Sequence, residues 1–174
     1  MTTATAAAPP RPVRTAAKAI IVVDGRLLVV QGVDENGPWH ALPGGGQLPG
    51  EPLHETICRE CREEIGADVT VGPLVFVRDY IACNHEFADR LPDFHQVECL
   101  FRCTLANDAD LERVGSAVGP LPDPNQTGVA WLALDELERH RLYPAVLRSL
   151  LAAANGANGA DECAPAPVYL GDVN

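Results

Sequence analysis

The sequence predicts an α/β fold: a mixed β-sheet covered on both faces by helices. Three observations carry the prediction. β-rich apolar runs stand before and after one central helical pattern, further helical patterns follow towards the end of the chain, and no internal repeat is present. A length of 174 residues suits one domain large enough to bury a core without staples.

In chain order, residues 1–15 are rich in Ala, Thr and Pro, lack acids and have no apolar h-region. They read as a disordered leader, with an organelle transit peptide as the compositional alternative. Ala17–Val23 and Arg26–Val30 are β-rich, and Asp24-Gly25 between them is a two-residue hairpin signal. Trp39–Leu42 leads into Pro43-Gly44-Gly45-Gly46, where helix is disfavoured. Pro52–Ile65 reads as a helix, opened by Gly50-Glu51-Pro52 and stopped by Gly66. Val69–Tyr80 and Gln96–Leu105 read as strands, joined by a polar stretch of about fifteen residues, long enough to suggest function. Thr127–Leu132 is a short strand, and Leu134–Arg139 and Tyr143–Ala154 are expected helices. The domain is thus set at 16–154, and 155–174 reads as a flexible tail whose apolar Val168-Tyr169-Leu170 docks.

The chain carries 24 acidic and 13 basic side chains, a net charge of −11. This argues against a sequence-independent grip on nucleic-acid polymers, which needs basic residues to displace counterions. Lys18 is the sole lysine, so a phosphorylated ligand would need a metal for much of its positive charge. No apolar run approaches the ~20 residues of a membrane helix. Cys58 and Cys61 form a C-x-x-C pair without a second pair or an H-x-x-x-H partner. Core thiols in a reducing cytoplasm are therefore the reading preferred over structural zinc.

The stretch Gly45–Ala67 carries the chemistry. At about 100° per residue, Leu53, Ile57, Cys58, Cys61 and Ile65 fall within an arc of about 140°, a core-facing stripe. Glu60, Glu63 and Glu64 stand at i, i+3 and i+4 beside it, with Glu64 inside the apolar arc. Three like charges so placed repel one another, and one points at buried ground. A divalent cation removes that cost, and hard oxygens suit Mg²⁺ or Mn²⁺ better than zinc. The alternative is a solvated acidic face paired with Arg59 and Arg62.

Gly45, five residues, Glu51, seven residues, then Arg59-Glu60-Cys61-x-Glu63-Glu64-x-Gly66-Ala67 resembles the signature of the Nudix hydrolases. Cys61 and Ala67 stand at its two aliphatic positions. The resemblance implies a Nudix α/β/α sandwich and hydrolysis of a diphosphate linked to another moiety. It implies Mg²⁺ or Mn²⁺ on Glu60, Glu63 and Glu64, with the Gly45 carbonyl as a further ligand. Arg59 and Glu51 match the pair that orients the carboxylates, and homodimerisation follows from the same resemblance; the apolar Tyr169-Leu170 of the tail is a candidate to take part. The general base is left between a helix glutamate (Glu63 or Glu64) and Glu98, an acid set unusually amid Val97-Glu98-Cys99-Leu100-Phe101. For Glu98 the alternatives are a surface charge or a partner for Arg102.

Subfamily marks point to a small nucleotide. The Pro of the ADP-sugar group is replaced by Ala82-Cys83-Asn84-His85, and Tyr80 comes too early for a dinucleoside polyphosphatase. A nucleoside di- or triphosphate is the expected substrate, with a nucleotide sugar or a non-catalytic nucleotide sensor as alternatives. Trp39, Tyr80, Phe87 and Phe94 are stacking candidates. Arg78, His85 and His40 are candidates for phosphate contact or for plain surface roles, Trp131 for the core, and His54 and His140 for solvated helix positions.

Overall fold

The computed structural model describes residues 12–86, 88–115, 118–155 and 166–174. Eight strands form one curled mixed sheet: β1 (Arg14–Val23), β2 (Arg26–Asp34), β3 (Gly37–Ala41), β4 (Val69–Ile81), β5 (His95–Leu105), β6 (Gln126–Ala133), β7 (Leu142–Tyr143) and β8 (Val168–Asp172). The order is β7-β3-β2-β1-β5-β4-β8, with β6 on β2. Among the described residues three α-helices accompany them: α1 (Leu53–Ile65), the single-turn α2 (Asp110–Arg113) and α3 (Val146–Asn155).

Period-2 alternation splits the core into two layers. Ala17, Ala19 and Ile21 of β1, Leu28 and Val30 of β2, and Phe101 and Cys103 of β5 pack against Ile57, Cys61 and Ile65 of α1. Their alternates Ile20, Leu27, Val29 and Leu100 pack with Leu134, Leu137, Leu147 and Leu151 on the opposite face. The expected sandwich follows from these two layers. Cys58 and Cys61 are free thiols on the α1 layer, and among the described residues no group of three metal-ligating side chains gathers around them.

Several boundaries differ from expectation. β1 begins at Arg14, so Arg14 and Thr15 belong to the sheet and not to a leader; residues 1–11 lie outside the described residues. Trp39 and its neighbours are a strand, paired with β2 through Gly32↔Trp39. Pro52 is the N-cap of α1 rather than its first residue, and Gly66 ends the helix at φ +67°. Leu134–Arg139 is a 3₁₀ helix, whose i, i+3 repeat suits two buried leucines at 134 and 137. The last helix starts only at Val146, because Leu142–Tyr143 pair with β3. Asp110–Arg113 was not expected as a helix. Val168–Asp172 is a parallel edge strand on β4.

β1 is central to the site. It pairs with β2 only at Val22↔Leu27 and Val23↔Arg26, beside the hairpin. Beyond that point the strands diverge and the glycine loop takes the place of β2. Ala19 N–H donates to Pro43 O at 2.8 Å, Ala17 N–H to Gly45 O at 3.0 Å, and Gln47 N–H to Thr15 O at 2.9 Å. On its other side β1 runs parallel to β5, with Ala16 opposite Glu98.

Candidate active site

The loop 43–47 and helix α1 bring the signature residues together. Arg59 is the hub. Its Nε and Nη2 donate to the two oxygens of Glu51 at 2.8 and 3.0 Å, and Nη2 also donates to Gly46 O at 3.0 Å. Its Nη1 donates to Glu60 at 2.7 Å and to Glu63 at 3.1 Å. Glu51 further accepts from Leu48 N–H at 3.1 Å and Thr56 Oγ1 at 2.9 Å, tying the loop to the first turn of α1. The Arg59 fork holds the Glu51 carboxyl at about 2, well below its ordinary value.

Glu64 is buried, as its place in the apolar arc requires. Its Oε2 accepts the Gly44 amide at 2.8 Å, and Lys18 Nζ donates to the Gly44 carbonyl. Burial pushes the Glu64 carboxyl up to about 7, against the opposing pull of Lys18 and the Gly44 amide. At Gly45 a Cβ would lie 2.6 Å from Glu60 Cδ, so the carboxylate fills space that only glycine leaves open.

These residues suit a divalent cation. The donors are hard oxygens, and the carboxylates of Glu51, Glu60, Glu63 and Glu64 outnumber the cations Arg59 and Lys18 that act on them. Arg59 currently draws Glu60 and Glu63 to itself, and among the described residues no three acidic, histidine or cysteine side chains are gathered round one point. Arg62, offered as a partner of the acidic face, pairs with Asp68 instead, at 2.6 Å.

A cavity of about 510 Å³ is lined from both sides of β1, by Asp34 and Trp39 of β2 and β3 and by Arg78, Tyr80, Gln96 and Glu98 of β4 and β5, with Phe94 beside them. The Trp39 indole lies against Gly32, where any Cβ would collide with it. Arg78 and Glu98 are opposite each other in the β4–β5 register, and both are buried. Arg78 Nε donates to Glu98 Oε2 at 2.6 Å, and Gln96 Nε2 donates to Oε1 at 2.8 Å. Although burial pushes the Glu98 carboxyl up, Arg78 and Lys18 hold it below the ordinary range. Glu98 is therefore neither a surface charge nor a partner of Arg102, and Arg78 has no surface role. The register of the β4–β5 hairpin, read from its two apolar patterns, is the signal that pairs 78 with 98.

The remaining candidates separate. His85 does not line the cavity; its ring stacks on Tyr80 at 5.2 Å and 11°, and its Nε2 lies 2.7 Å from Asp172. His40 is buried, edge-on to His140 at 5.3 Å. His54 is exposed, while Trp131 packs on the α1 layer and donates to Val114 O at 2.9 Å. Phe87 lies outside the described residues.

Four contributors carry no signal in the sequence. Arg14 places its guanidinium against Gly46 and 6.0 Å from the Phe94 ring, between loop and cavity. Gly119 and Leu121 donate their amides to Glu64 O and Glu63 O at 2.8 and 3.0 Å, and Gln126 Nε2 donates to Glu64 O at 2.8 Å. These bonds satisfy carbonyls that the end of α1 leaves open.

A sandwich carrying a glycine loop against a glutamate-bearing helix defines a pyrophosphohydrolase of the Nudix type. The model of the NUDIX domain matches residues 12–153, and the chain belongs to that family. It is similar to the nucleoside triphosphatase NudI of Salmonella heidelberg, 36% identical over 101 residues that cover 54% of this chain and 70% of that protein. In fold it resembles a NUDIX hydrolase from Nitrosomonas europaea, with TM-score 0.64 and 18% identity over 94% of this chain and 80% of that one. It also resembles an ADP-ribose pyrophosphatase from Streptococcus suis, with TM-score 0.56 and 19% identity over 86% and 97%. Members of the family generally use divalent cations. Among the described residues no helix is long and apolar enough to cross a membrane.

Proposed function

We propose that this enzyme hydrolyses a nucleoside di- or triphosphate with Mg²⁺ or Mn²⁺. The observation that carries the reading is the surplus of carboxylates at the glycine loop, one strand away from an aromatic-lined cavity: Ala16 of β1 bridges to Gly46 on one side and Glu98 on the other. The similarity to NudI supports the choice of substrate.

Glu60, Glu63, Glu64 and the Gly45 carbonyl would hold the cation. When bound it neutralises the diphosphate and lowers the pKa of a water molecule. Arg59 and Glu51 keep the carboxylates oriented. Glu63 or Glu64 takes the proton of the attacking water, the new P–O bond forms, and the bridging P–O bond breaks to release a monophosphate and phosphate or pyrophosphate. Both Glu98 oxygens are engaged, so Glu98 serves by fixing Arg78 in the cavity. Trp39 offers a face to the base and Arg78 a cation, while Tyr80, stacked on His85, backs the Arg78 guanidinium.

The reading places the enzyme in the reducing cytoplasm, where Cys58, Cys61, Cys83, Cys99 and Cys103 stay thiols. It also includes a homodimer, which gel filtration at several concentrations tests. The decisive experiment is a panel of nucleotides with Mg²⁺ and with Mn²⁺, using Glu64→Gln as control. Turnover of at least one nucleoside phosphate, lost in the variant, is expected. No turnover across the panel, or equal turnover by the variant, overturns the reading.

A further inference from the structure

The residues after 165 lie beyond the stretch that the family model matches, yet they complete the sheet edge and reach the cavity. β8 runs parallel to β4, with Phe76 opposite Val168 and Val77 opposite Tyr169. The register then shifts, so that Asp172 faces Asp79 and β8 carries one residue more than its partner. Gly171 occupies that extra length at φ +79°, and a Cβ there would meet nothing within 4 Å. Glycine serves here for its backbone and not for space. On the outer side, the Tyr169 hydroxyl donates to Asp79.

The bulge aims Asp172 at the corner where β4 ends. One of its oxygens accepts the Ile81 amide at 3.0 Å and lies 2.7 Å from His85 Nε2; the other accepts from Asn84 Nδ2 at 2.6 Å. One carboxylate thus gathers three groups, and the His85 it holds is stacked on Tyr80, a cavity residue. Asn84 and His85, together with the Ile81 amide, hold the Asp172 carboxyl at about 2 in spite of its partial burial.

The next residues act on the cavity directly. The Val173 carbonyl accepts from Arg78 Nη1, while Glu98 holds Nε of the same guanidinium and the Tyr80 ring lies 5.2 Å from its carbon. Asn174 lines the cavity and donates to Glu86 Oε1 at 3.3 Å. A planar guanidinium gripped on two edges and one face has a single orientation.

We propose that β8 and the two residues after it are a working support of the substrate cavity, with Asn174 in its wall. Asp172 is its positioning residue, which sets Arg78 and the Tyr80–His85 stack in the arrangement that receives a nucleoside phosphate. The proposal rests on the hydrolase reading above. It assigns substrate affinity to a strand separate in sequence from the signature, and it assigns Asp172 no part in the chemical step.

The test compares the full-length wild type with Asp172→Ala and Asp172→Asn, using the best nucleotide of the panel, with amide exchange at Ile81 and a melting curve for each. Asp172→Ala is expected to raise KM about tenfold with kcat within about twofold, the pattern of lost binding common to ground and transition states. Exchange at Ile81 should quicken in the same variant. Asp172→Asn, which keeps an acceptor for Ile81 but loses the charge facing His85, should fall between. Unchanged KM with faster Ile81 exchange would show packing alone and overturn the proposal, as would a fall in kcat at constant KM. Wild type that turns over nothing overturns the hydrolase reading and this proposal together, an outcome that the wild-type arm alone distinguishes. If Asp172→Ala fails to fold, Asp172→Asn and Asn174→Ala carry the same KM-against-kcat comparison.

Discussion

The carboxylate of Glu60 occupies the volume that a side chain on Gly45 would need: the nearest atoms, Cδ and Oε1, lie 2.6 Å from that Cβ position. Gly45→Ala should therefore displace Glu60 without touching the core. Affinity for Mn²⁺, read by titration, is expected to fall by about 10- to 100-fold, the range for residues that orient a metal ligand. A variant that binds Mn²⁺ like wild type would remove Glu60 from the ligand set.

Glu64 combines burial with a charge, so its removal should separate stability from activity. In metal-free protein at pH 8, Glu64→Gln replaces a desolvated carboxylate by a neutral amide of similar shape. The melting temperature is expected to stay level or rise, while turnover with metal falls by about 10²- to 10⁴-fold if Glu64 takes the proton. Loss of both together would point to a structural role.

For Glu98 the expectation is the reverse. Glu98→Ala leaves the Arg78 guanidinium buried without its carboxylate, a change that costs about 3–5 kcal/mol of stability. Urea denaturation should show the loss, and kcat of the folded fraction should change little. A large fall in kcat at unchanged stability would make Glu98 the base.

Trp39→Ala removes the largest flat surface of the cavity. Base–aromatic stacking of about 1–3 kcal/mol predicts a rise in KM of roughly 5- to 150-fold. The measurement is steady-state turnover across nucleotides, and a variant with wild-type KM would place the base elsewhere.

Arg141 grips both oxygens of Asp34, at 2.7 and 2.9 Å, and its fork holds that carboxyl at about 2 against an ordinary 3.8. Because the folded value is the lower one, the pair stabilises the fold above about pH 4, and that support is lost as pH falls towards 2. Melting temperature between pH 5 and 2 should fall less steeply in Asp34→Asn than in wild type. Parallel curves would show that the pair contributes nothing.

What was legible in the sequence was local. Leu53, Ile57, Cys61 and Ile65 define the buried side of α1 by spacing alone, and Pro52 and Gly66 punctuate it, so the helix and its glutamates were readable. The loop's contact with β1 was not, since it is made by peptide groups that carry no residue signal. Arg14 sits amid Ala and Thr, a composition that reads as unstructured, and becomes a strand only through Gln96, its partner on β5. Val168–Asp172 borders a Gly/Ala/Pro-rich stretch and gains its conformation from β4, some ninety residues earlier. Arg78 and Glu98 were each noticed singly; their pairing depends on hairpin register, which bulges between Val71 and Phe76 complicate.

The stitching of residues 43–47 to β1 has a consequence for how this site tolerates change. Because Pro43, Gly45 and Gln47 meet Ala19, Ala17 and Thr15 only through amide hydrogens and carbonyl oxygens, no substitution that preserves the backbone can unpick the seam. The side chains of Ala17 and Ala19 are thereby released to fill the core, and Lys18 to hold Gly44. The scaffold under the glutamates is written in peptide units, and the side chains along it matter only where there is no room for one: at Gly44, pressed on the Ala17 carbonyl, and at Gly45, pressed on the Glu60 carboxylate.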